Sequence, residues 1–543
     1  MPLILLIAAL VVVSSTPHAQ QAAVPEGVRS AADRITAAAL AEDLDFLSSD
    51  ELLGRNTPSP GFDTAARFIA GRLERAGLKP LGDNGTFFQH YEMRESRVDT
   101  EAAYIEIDGR RFRFGTDFVM RSFAGPLSGQ LPVVYVGHGW KVPEHGIDPY
   151  AGLDVRGKVV LAHGPRALPK GVDIPQIGRI NVGGSSPLAE AERHGAAGVI
   201  FIAQTSALKG WDAMRTQNMV RRELEPRVPS AYAAPPVSSL LLAPDVTEAL
   251  LTGERVTGPE LIALGDSADY PRSFELSRTV TLHVPVSSSR SHRPYNVVAL
   301  LEGRDPALKD EFITVASHLD GAVGTRVVDG DSIYNSADDN ATGSAATLHI
   351  AEQMIRGPRP KRSVVFIWDS GEEQGLWGTR HFVAHPPVPL GNVVAHFNID
   401  MIGATRTPGS GEADSSDTAG PNEVYVVGPG VLSEHADALL ERVNREYLNL
   451  RFNRAYDRPE SPFFYPRTDA GPFLERGVLT IGFFTGLHDR YHRPSDEARY
   501  LDPKKMEVVA RTVFASIWMF ADSEERPRID KAIPPTVPRY GKI

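Results

Sequence analysis

The sequence predicts an α/β fold, a mixed and mostly parallel doubly wound sheet with helices on both faces. Three runs of apolar and β-branched residues have the length and texture of buried or half-buried strands: 312–317, 363–368 and 393–399. Helical periodicity dominates three further segments: 342–355, 433–447 and 503–520. Strands that share a chain with helices in this way are typical of an open α/β sheet.

The first 22 residues resemble a secretory signal peptide. An apolar run from Leu3 to Val13 is followed by small and polar residues, and a run of this length is too short to span a membrane comfortably. Met1 and Pro2 supply no basic residue before it, so the alternatives are an atypical signal, a wrong start or an uncleaved segment. We expect a secreted or periplasmic protein with no stable membrane insertion.

Two helices are expected next, over 31–47 and 61–78, and Gly77 is the expected end of the second. From about 125 to 275 the texture changes to short apolar runs between glycines and prolines, which predicts a β-rich domain inserted into the first one. The predicted organisation is 1–22 signal peptide, 25–124 N-terminal part of the first domain, 125–275 inserted domain, 276–525 remainder of the first domain, and 526–543 C-terminal tail.

Composition limits the function and the site chemistry. The 543 residues include 57 Lys and Arg against 68 Asp and Glu, for a net charge of −11, and a nucleic-acid partner would require a basic surface instead. The chain has no cysteine, which excludes thiolate ligands, disulfides and a cysteine nucleophile. Any metal must therefore be bound by His, Asp and Glu.

Five short segments concentrate carboxylates and histidines: SHLD (317–320), SADDN (336–340), SGEEQG (370–375), NIDM (398–401) and YHRPSD (491–496). The three predicted strands run directly into His318, into Asp369 to Glu373, and into Asp400. In open α/β sheets the ligand crevice lies outside the carboxyl ends of the strands. The pattern therefore predicts a two-metal hydrolase site at this edge.

Peptide hydrolysis near neutral pH needs an activated water, a Lewis acid and a proton shuttle. Two zinc ions about 3.5–4 Å apart can be held by a bridging carboxylate with one His and one carboxylate each, beside a free carboxylate. The segments supply this inventory as His318, Asp339, Glu373, Asp400, His492 and Glu372. Asp320 and Asp496 are candidates to hold the two imidazoles. The residues alone do not decide whether Glu372 or Glu373 is the base.

The order of these segments resembles metallopeptidase family 28 of clan MH, the co-catalytic zinc peptidases. The resemblance implies that His318 and Asp400 bind one zinc, Glu373 and His492 the other, and that Asp339 bridges them. It implies Glu372 as the general base and Asp320 as the residue that orients His318. Tyr491 is an oxyanion donor by the same resemblance. The remaining histidines, among them His349, His396 and His488, are assigned structural or surface roles.

The resemblance covers roughly residues 40 to 520 and implies an exopeptidase that cleaves peptides or small proteins. DLDFLSSDELLGR (43–55) is similar to the start of family members, and 157–203 is similar to a protease-associated domain. Relatives usually carry a histidine where this chain has Ala470, which concerns the substrate pocket. The expected activity is that of an aminopeptidase; a carboxypeptidase, a dipeptidase, a single-zinc glutaminyl cyclase and a non-catalytic receptor-like protein are the alternatives. Arg326, Arg467 and Arg493 are the candidates to bind a substrate carboxylate.

Overall fold

The structure is a computed structural model that describes residues 24–122, 125–142, 145–164, 167–172, 186–220, 223–226, 237–324, 327–406 and 417–537. The predicted signal peptide and Arg326 lie outside the described residues. Among the described helices, none combines the length and apolar character that crossing a membrane would require.

The strands, in chain order, are β1 (Lys79–Pro80), β2 (Phe88–His90), β3 (Met93–Val98), β4 (Tyr104–Ile107), β5 (Arg110–Arg113), β6 (Phe118–Met120), β7 (Leu127–Tyr135), β8 (Val159–His163), β9 (Gly198–Ile202), β10 (Glu223–Pro226), β11 (Ser239–Leu242), β12 (Phe274–Val284), β13 (Val286–His292), β14 (Tyr295–Leu301), β15 (Phe312–His318), β16 (Ser363–Asp369), β17 (Val393–Ile399), β18 (Glu423–Val427), β19 (Arg451–Asn453) and β20 (Thr480–Phe484).

The α-helices are α1 (Glu26–Ala32), α2 (Ala37–Leu47), α3 (Pro60–Ala76), α4 (Pro187–Arg193), α5 (Thr205–Leu208), α6 (Trp211–Val220), α7 (Pro244–Leu251), α8 (Gly258–Asp266), α9 (Gly343–Arg356), α10 (Trp377–Ala384), α11 (Pro429–Leu432), α12 (Glu434–Glu446), α13 (Ala470–Glu475) and α14 (Pro503–Asp522).

The first sheet is mixed, with strand order β1-β14-β16-β15-β17-β20-β18-β19 and β2 on β14 over the described residues. Its centre, β16-β15-β17-β20, is parallel, whereas β14 and β18 pair antiparallel with their inner neighbours. Alternate residues of its strands face opposite sides: Phe366 lies in the core that α3, α9 and α14 cover, and Val365 faces α10 and α13. The predicted doubly wound α/β fold is confirmed, with parallel pairing concentrated at the centre of the sheet.

The predicted strands appear almost where the sequence placed them, and β15 and β16 each extend one residue further, to His318 and Asp369. One helix prediction is wrong, because 31–47 contains parts of two helices instead of one. The chain leaves α1 after Ala32 and starts α2 at Ala37. Thr36 begins the second helix, since its side chain accepts a hydrogen bond from the Ala39 N–H (3.4 Å).

A second sheet has the strand order β5-β4-β12-β7-β8-β9-β11-β6 over the described residues, with β7, β8, β9 and β11 parallel. It has its own buried cores on both faces. The sheet runs from Tyr104 to Val284 and so exceeds the predicted insert 125–275 at both ends. In the outer strand β5, the exposed Arg111 and Arg113 flank the buried Phe112. Such a strand contains no continuous apolar run, so a prediction based on apolar runs misses it.

The chain enters and leaves this second unit through a small antiparallel sheet. Strand β3 lies between β13 and β10, and Val98 is the partner of Val286. The entry and the exit of the unit are therefore neighbours. The assignment of the unit to a protease-associated domain stays a prediction.

Candidate metal centre

The candidate site lies at the carboxyl edge of the parallel strands. β15 ends at His318, β16 leads into the loop with Glu372 and Glu373, and β17 leads into Asp400. Gly371 makes the sharp turn after β16 with a positive φ of 71°, and a Cβ there would lie 2.6 Å from the Trp377 ring. The two glutamates follow this turn directly.

The first group of potential ligands is His318, Asp339 and Asp400. Nε2 of His318 lies 3.1 Å from Oδ1 of Asp339 and 3.4 Å from Oδ1 of Asp400. Asp339 belongs to an irregular turn before α9, and its peptide bond to Asn340 is cis. Asn340 ties that turn to β17, because its amide donates to the Ile399 carbonyl (2.9 Å).

The second group is Asp339, Glu373 and His492. Nε2 of His492 lies 3.1 Å from Oδ2 of Asp339 and 2.9 Å from Oε2 of Glu373. The two carboxylate oxygens of Asp339 thus face different histidines. The structure brings all five predicted ligands together, with Asp339 between the two groups.

The protonation of His318 shows that its group fits a cation. Nδ1 of His318 contacts the main-chain carbonyl of Asp320 (3.0 Å), and a carbonyl only accepts, so Nδ1 carries the proton. A second proton or a cation on Nε2 is then needed to offset the two carboxylates that face it. Among the described residues, no hydrogen bond satisfies His318 Nε2, Glu373 Oε1 or Asp400 Oδ1. Cations bound in the two groups would satisfy these atoms, His318 and Asp400 in the first group and Glu373 in the second, and borderline N and O donors of this kind suit zinc.

Electrostatics also favours bound cations at this edge. Burial lowers the pKa of His318, but Asp339 and Asp400 outweigh it and hold that pKa well above its usual value. His492 behaves alike: burial opposes protonation, and Asp339 and Glu373 raise its pKa to about 10. Burial and the neighbouring Asp339 raise the pKa of Glu373 to about 8. Negative charge therefore exceeds the charge that two imidazoles can offset.

Glu372 is separate from both groups. Burial raises the pKa of its carboxyl well above the usual value, and the negative charges of Asp469, Glu373 and Asp400 add to this effect, whereas His318 opposes it. Its backbone N–H donates to Oδ1 of Asp320 (3.2 Å). A carboxylate of raised basicity beside two ligand groups is suited to proton transfer.

Asp320 and Asp496 act differently from the prediction that their carboxylates hold the two imidazoles. His318 bonds to the main chain of Asp320, whose Oδ1 is 3.9 Å away. The carboxylate of Asp496 accepts from the N–H groups of Asp338 (3.1 Å) and Asp339 (3.2 Å). It therefore supports the turn that carries Asp339. The spacing of four residues to His492 would align the two side chains on a helix, but this segment is a turn and His492 has a φ of 54°.

The sequence predicts a structural or surface role for His488, and the structure places it behind the candidate ligands. Its Nε2 is 3.3 Å from Oδ2 of Asp338 and 4.0 Å from Oδ1 of Asp496. Asp338 in turn accepts from the Gly403 N–H (2.7 Å). The only signal in the sequence was its position four residues before His492 in a polar segment. His349 and His396 lie elsewhere: the first contacts Asp43, and the second stacks on Phe473.

Tyr491 and Arg467 lie at the exposed side of the second group. The Tyr491 ring stacks on His492 with 3.8 Å between ring centroids, and its hydroxyl accepts from Arg467 (2.8 Å). Burial and the nearby Asp339 raise the pKa of Tyr491 above its usual value, so the hydroxyl keeps its proton at neutral pH. It can donate that proton in a hydrogen bond.

Asp469 is a buried acid directly before Ala470. It accepts a hydrogen bond from the Thr379 hydroxyl. Burial raises its pKa to about 6, with Asp400 adding to the rise and His318 opposing it. Asp469 thus adds to the negative potential around Glu372. Its position beside Ala470 in the stretch similar to the family was the signal that could have identified it.

The region that holds the candidate site is similar to known peptidases. Residues 296–517 match the model of peptidase family M28. An aminopeptidase of Pseudomonas aeruginosa (strain UCBPP-PA14) is 30% identical over 246 residues, which are 42% of this chain and 40% of the relative. Leupeptin-inactivating enzyme 1 of Streptomyces exfoliatus is 29% identical over 227 residues, 38% of this chain and 48% of the relative. These matches span less than half the length of either relative.

The fold as a whole is similar to the aminopeptidase from Aneurinibacillus sp. strain AM-1. The superposition covers 95% of this chain and 100% of that structure, with a TM-score of 0.53 and 16% sequence identity. This likeness concerns the fold alone. All five potential ligands and Glu372 lie within residues 296–517, the range that matches the model of peptidase family M28.

Proposed function

We propose that this protein is an exported zinc aminopeptidase with two metal ions and Glu372 as the general base. The observation that carries the proposal is the shared carboxylate: Asp339 faces His318 through one oxygen and His492 through the other. His318 and Asp400 would hold one zinc, Glu373 and His492 the other, and Asp339 both. Zinc bound there supplies a Lewis acid and lowers the pKa of a bound water.

The residues of the chain have separate tasks in this proposal. Glu372 takes a proton from the attacking water and passes it to the leaving amine, for which its raised pKa is suitable. The Tyr491 hydroxyl donates a hydrogen bond to the oxygen on which negative charge develops. Arg467 fixes that hydroxyl from the other side.

The charge around the site supports an amine-binding role. The three ligand carboxylates offset most of the charge of two zinc ions, and Asp469 and Glu372 bring further buried negative charge beside them. A free α-ammonium group is stabilised in such surroundings, whereas a substrate carboxylate would be repelled. The matched relative from Pseudomonas aeruginosa is named an aminopeptidase, which supports the same direction.

A small apolar pocket next to Asp400 supports an apolar side chain at the substrate N-terminus. Its lining residues are Val427, Gly428, Phe463, Phe464, Ala470, Gly482, Phe483 and Phe484, with Asn398, Thr468 and Thr480. Ala470 stands where relatives usually carry a histidine, so the wall at this position is apolar and short. We propose that this pocket receives the side chain of the residue that is released.

The metal requirement is directly testable. Protein reconstituted with zinc is expected to contain two zinc equivalents by elemental analysis, and a chelator is expected to abolish hydrolysis of aminoacyl anilides. Zinc should also raise the unfolding temperature, because it binds the folded state preferentially. Protein that binds no transition metal after reconstitution would contradict the proposal.

Two modifications of the substrate test whether the peptide is cleaved from its N-terminus or from its C-terminus. Acetylation of the peptide N-terminus is expected to abolish cleavage, because the acidic site then loses its ammonium partner. Amidation of the C-terminus should leave the rate almost unchanged. The alternative is a carboxypeptidase, favoured by Arg467, which is exposed at this side of the site and donates to the Tyr491 hydroxyl. Under that alternative the two modifications exchange effects, and Arg467→Ala raises KM for free C-termini.

A further inference from the structure

Arg55 lies in a segment that is wedged between two loops of the metal centre. Leu53, Gly54 and Arg55 have positive φ angles of 48°, 80° and 56°. A Cβ on Gly54 would lie 2.4 Å from the Tyr334 carbonyl oxygen. L side chains adopt this conformation at an energetic cost, and the surrounding packing must maintain it.

The Arg55 side chain is fully buried and bonds to main-chain carbonyls. Nε donates to Leu319 (3.0 Å), and the terminal nitrogens donate to Asn335 (2.9 Å) and Ser336 (2.9 Å). A fourth hydrogen bond reaches the carbonyl of Leu47 at the end of α2. The planar guanidinium fork can satisfy several acceptors in fixed directions, which an ammonium group cannot reproduce.

Three of these four acceptors belong to two loops that carry ligands of the first group. Leu319 lies between His318 and Asp320, and Ser336 precedes the turn that carries Asp339. The neighbouring Asn56 extends the same connection, because its amide donates to Gly321 (3.1 Å) and Ala322 (3.0 Å). One short segment thus fixes the separation of both loops.

The charge of Arg55 is kept in the interior by the acids of the site. Burial lowers the pKa of the guanidinium to about 10, and Asp320, Asp496 and Asp339 oppose this effect. The group is therefore a cation at neutral pH. A buried cation is tolerated where nearby negative charge offsets its desolvation.

We propose that Arg55 is a positioning residue for the metal centre, which sets the distance between His318 and Asp339 by bonding both of their loops. The inference rests on the proposed function, since it assumes that these residues bind metal. The substitution of Arg55 should therefore affect the ion that His318, Asp339 and Asp400 would hold. The ion between Glu373 and His492 depends on Arg55 only through Asp339.

The test compares Arg55→Lys with Arg362→Lys. Arg362 is also fully buried and bonds to Glu311 (2.7 Å) and the Ser523 carbonyl (2.6 Å), but it precedes β16 at the end of the strand opposite the site. Zinc affinity is measured by chelator competition with elemental analysis, and folding by circular dichroism and thermal unfolding. If the unsubstituted protein binds no zinc, the proposed function fails. If it binds zinc and the substitution of Arg55 leaves its zinc affinity unchanged, only the role of Arg55 fails.

We expect Arg55→Lys to weaken the affinity for one of the two ions about 10- to 100-fold, as loss of outer contacts to metal ligands does. Arg362→Lys should lower the unfolding temperature without changing zinc affinity. Asn56→Ala, which is only partly buried, should shift zinc affinity in the same direction by a smaller factor. Zinc affinities of Arg55→Lys and Asn56→Ala equal to that of the unsubstituted protein would overturn the inference and leave Arg55 a purely structural residue.

Discussion

Replacing Glu372 by glutamine is expected to lower kcat by about 10²- to 10⁴-fold, the range that a general base contributes, with both zinc ions retained. Glutamine keeps the size of the side chain and its backbone bond to Asp320 but cannot take a proton. Glu372 lies outside both ligand groups, so the metal content should not change. Steady-state kinetics and elemental analysis on the same preparation check both parts.

The matched control is Glu373→Gln, one residue further along the same loop. Its Oε2 contacts His492 at 2.9 Å and belongs to the second ligand group, so this variant should lose zinc together with activity. Loss of metal in Glu372→Gln, combined with an inactive but metal-replete Glu373→Gln, would reverse the two roles.

Removal of the shared carboxylate, Asp339→Ala, is expected to cost both zinc ions and to lower activity at least as much as Glu372→Gln. One side chain serves both groups, and without it each imidazole keeps a single carboxylate partner. His318→Ala and His492→Ala should each lose one ion. If Asp339→Ala kept two zinc equivalents, the assignment of Asp339 as the bridge would be wrong.

The proximity of His318, Glu373 and Asp400 could be predicted because each of them ends or follows a regular strand. That they bind metal stays a prediction. β15, β16 and β17 are buried over their whole length, so their apolar composition is dictated by the core and visible in the sequence. Ligands at the ends of parallel strands then meet at one edge, whatever their separation along the chain. This geometry explains why His318, Glu373 and Asp400 were found together.

The contacts behind the ligands could not be predicted in the same way. Asp496 supports Asp338 and Asp339 across more than 150 residues of sequence, and no local pattern encodes such a contact. The contacts of His488 with Asp338 and Asp496 are not encoded by a local pattern either. Arg55 was visible only as part of a segment similar to the family, because its partners are carbonyls, which every residue has.

The boundaries of the second sheet were missed for another reason. Edge strands with one solvated face carry charges, so their texture resembles that of loops. The break between α1 and α2 coincides with the side-chain cap that Thr36 provides for α2, a local contact that helical periodicity does not indicate.

The pairing of Val98 with Val286 at the base of the second unit has a consequence for chain entropy. Because entry and exit are neighbours, folding the first unit requires only that a long loop close on itself. The entropy lost in closing such a loop grows with the logarithm of its length, about 0.6 kcal/mol for each doubling. The first unit can therefore tolerate second units of very different size at this one point, since lengthening or replacing the insert changes its stability little.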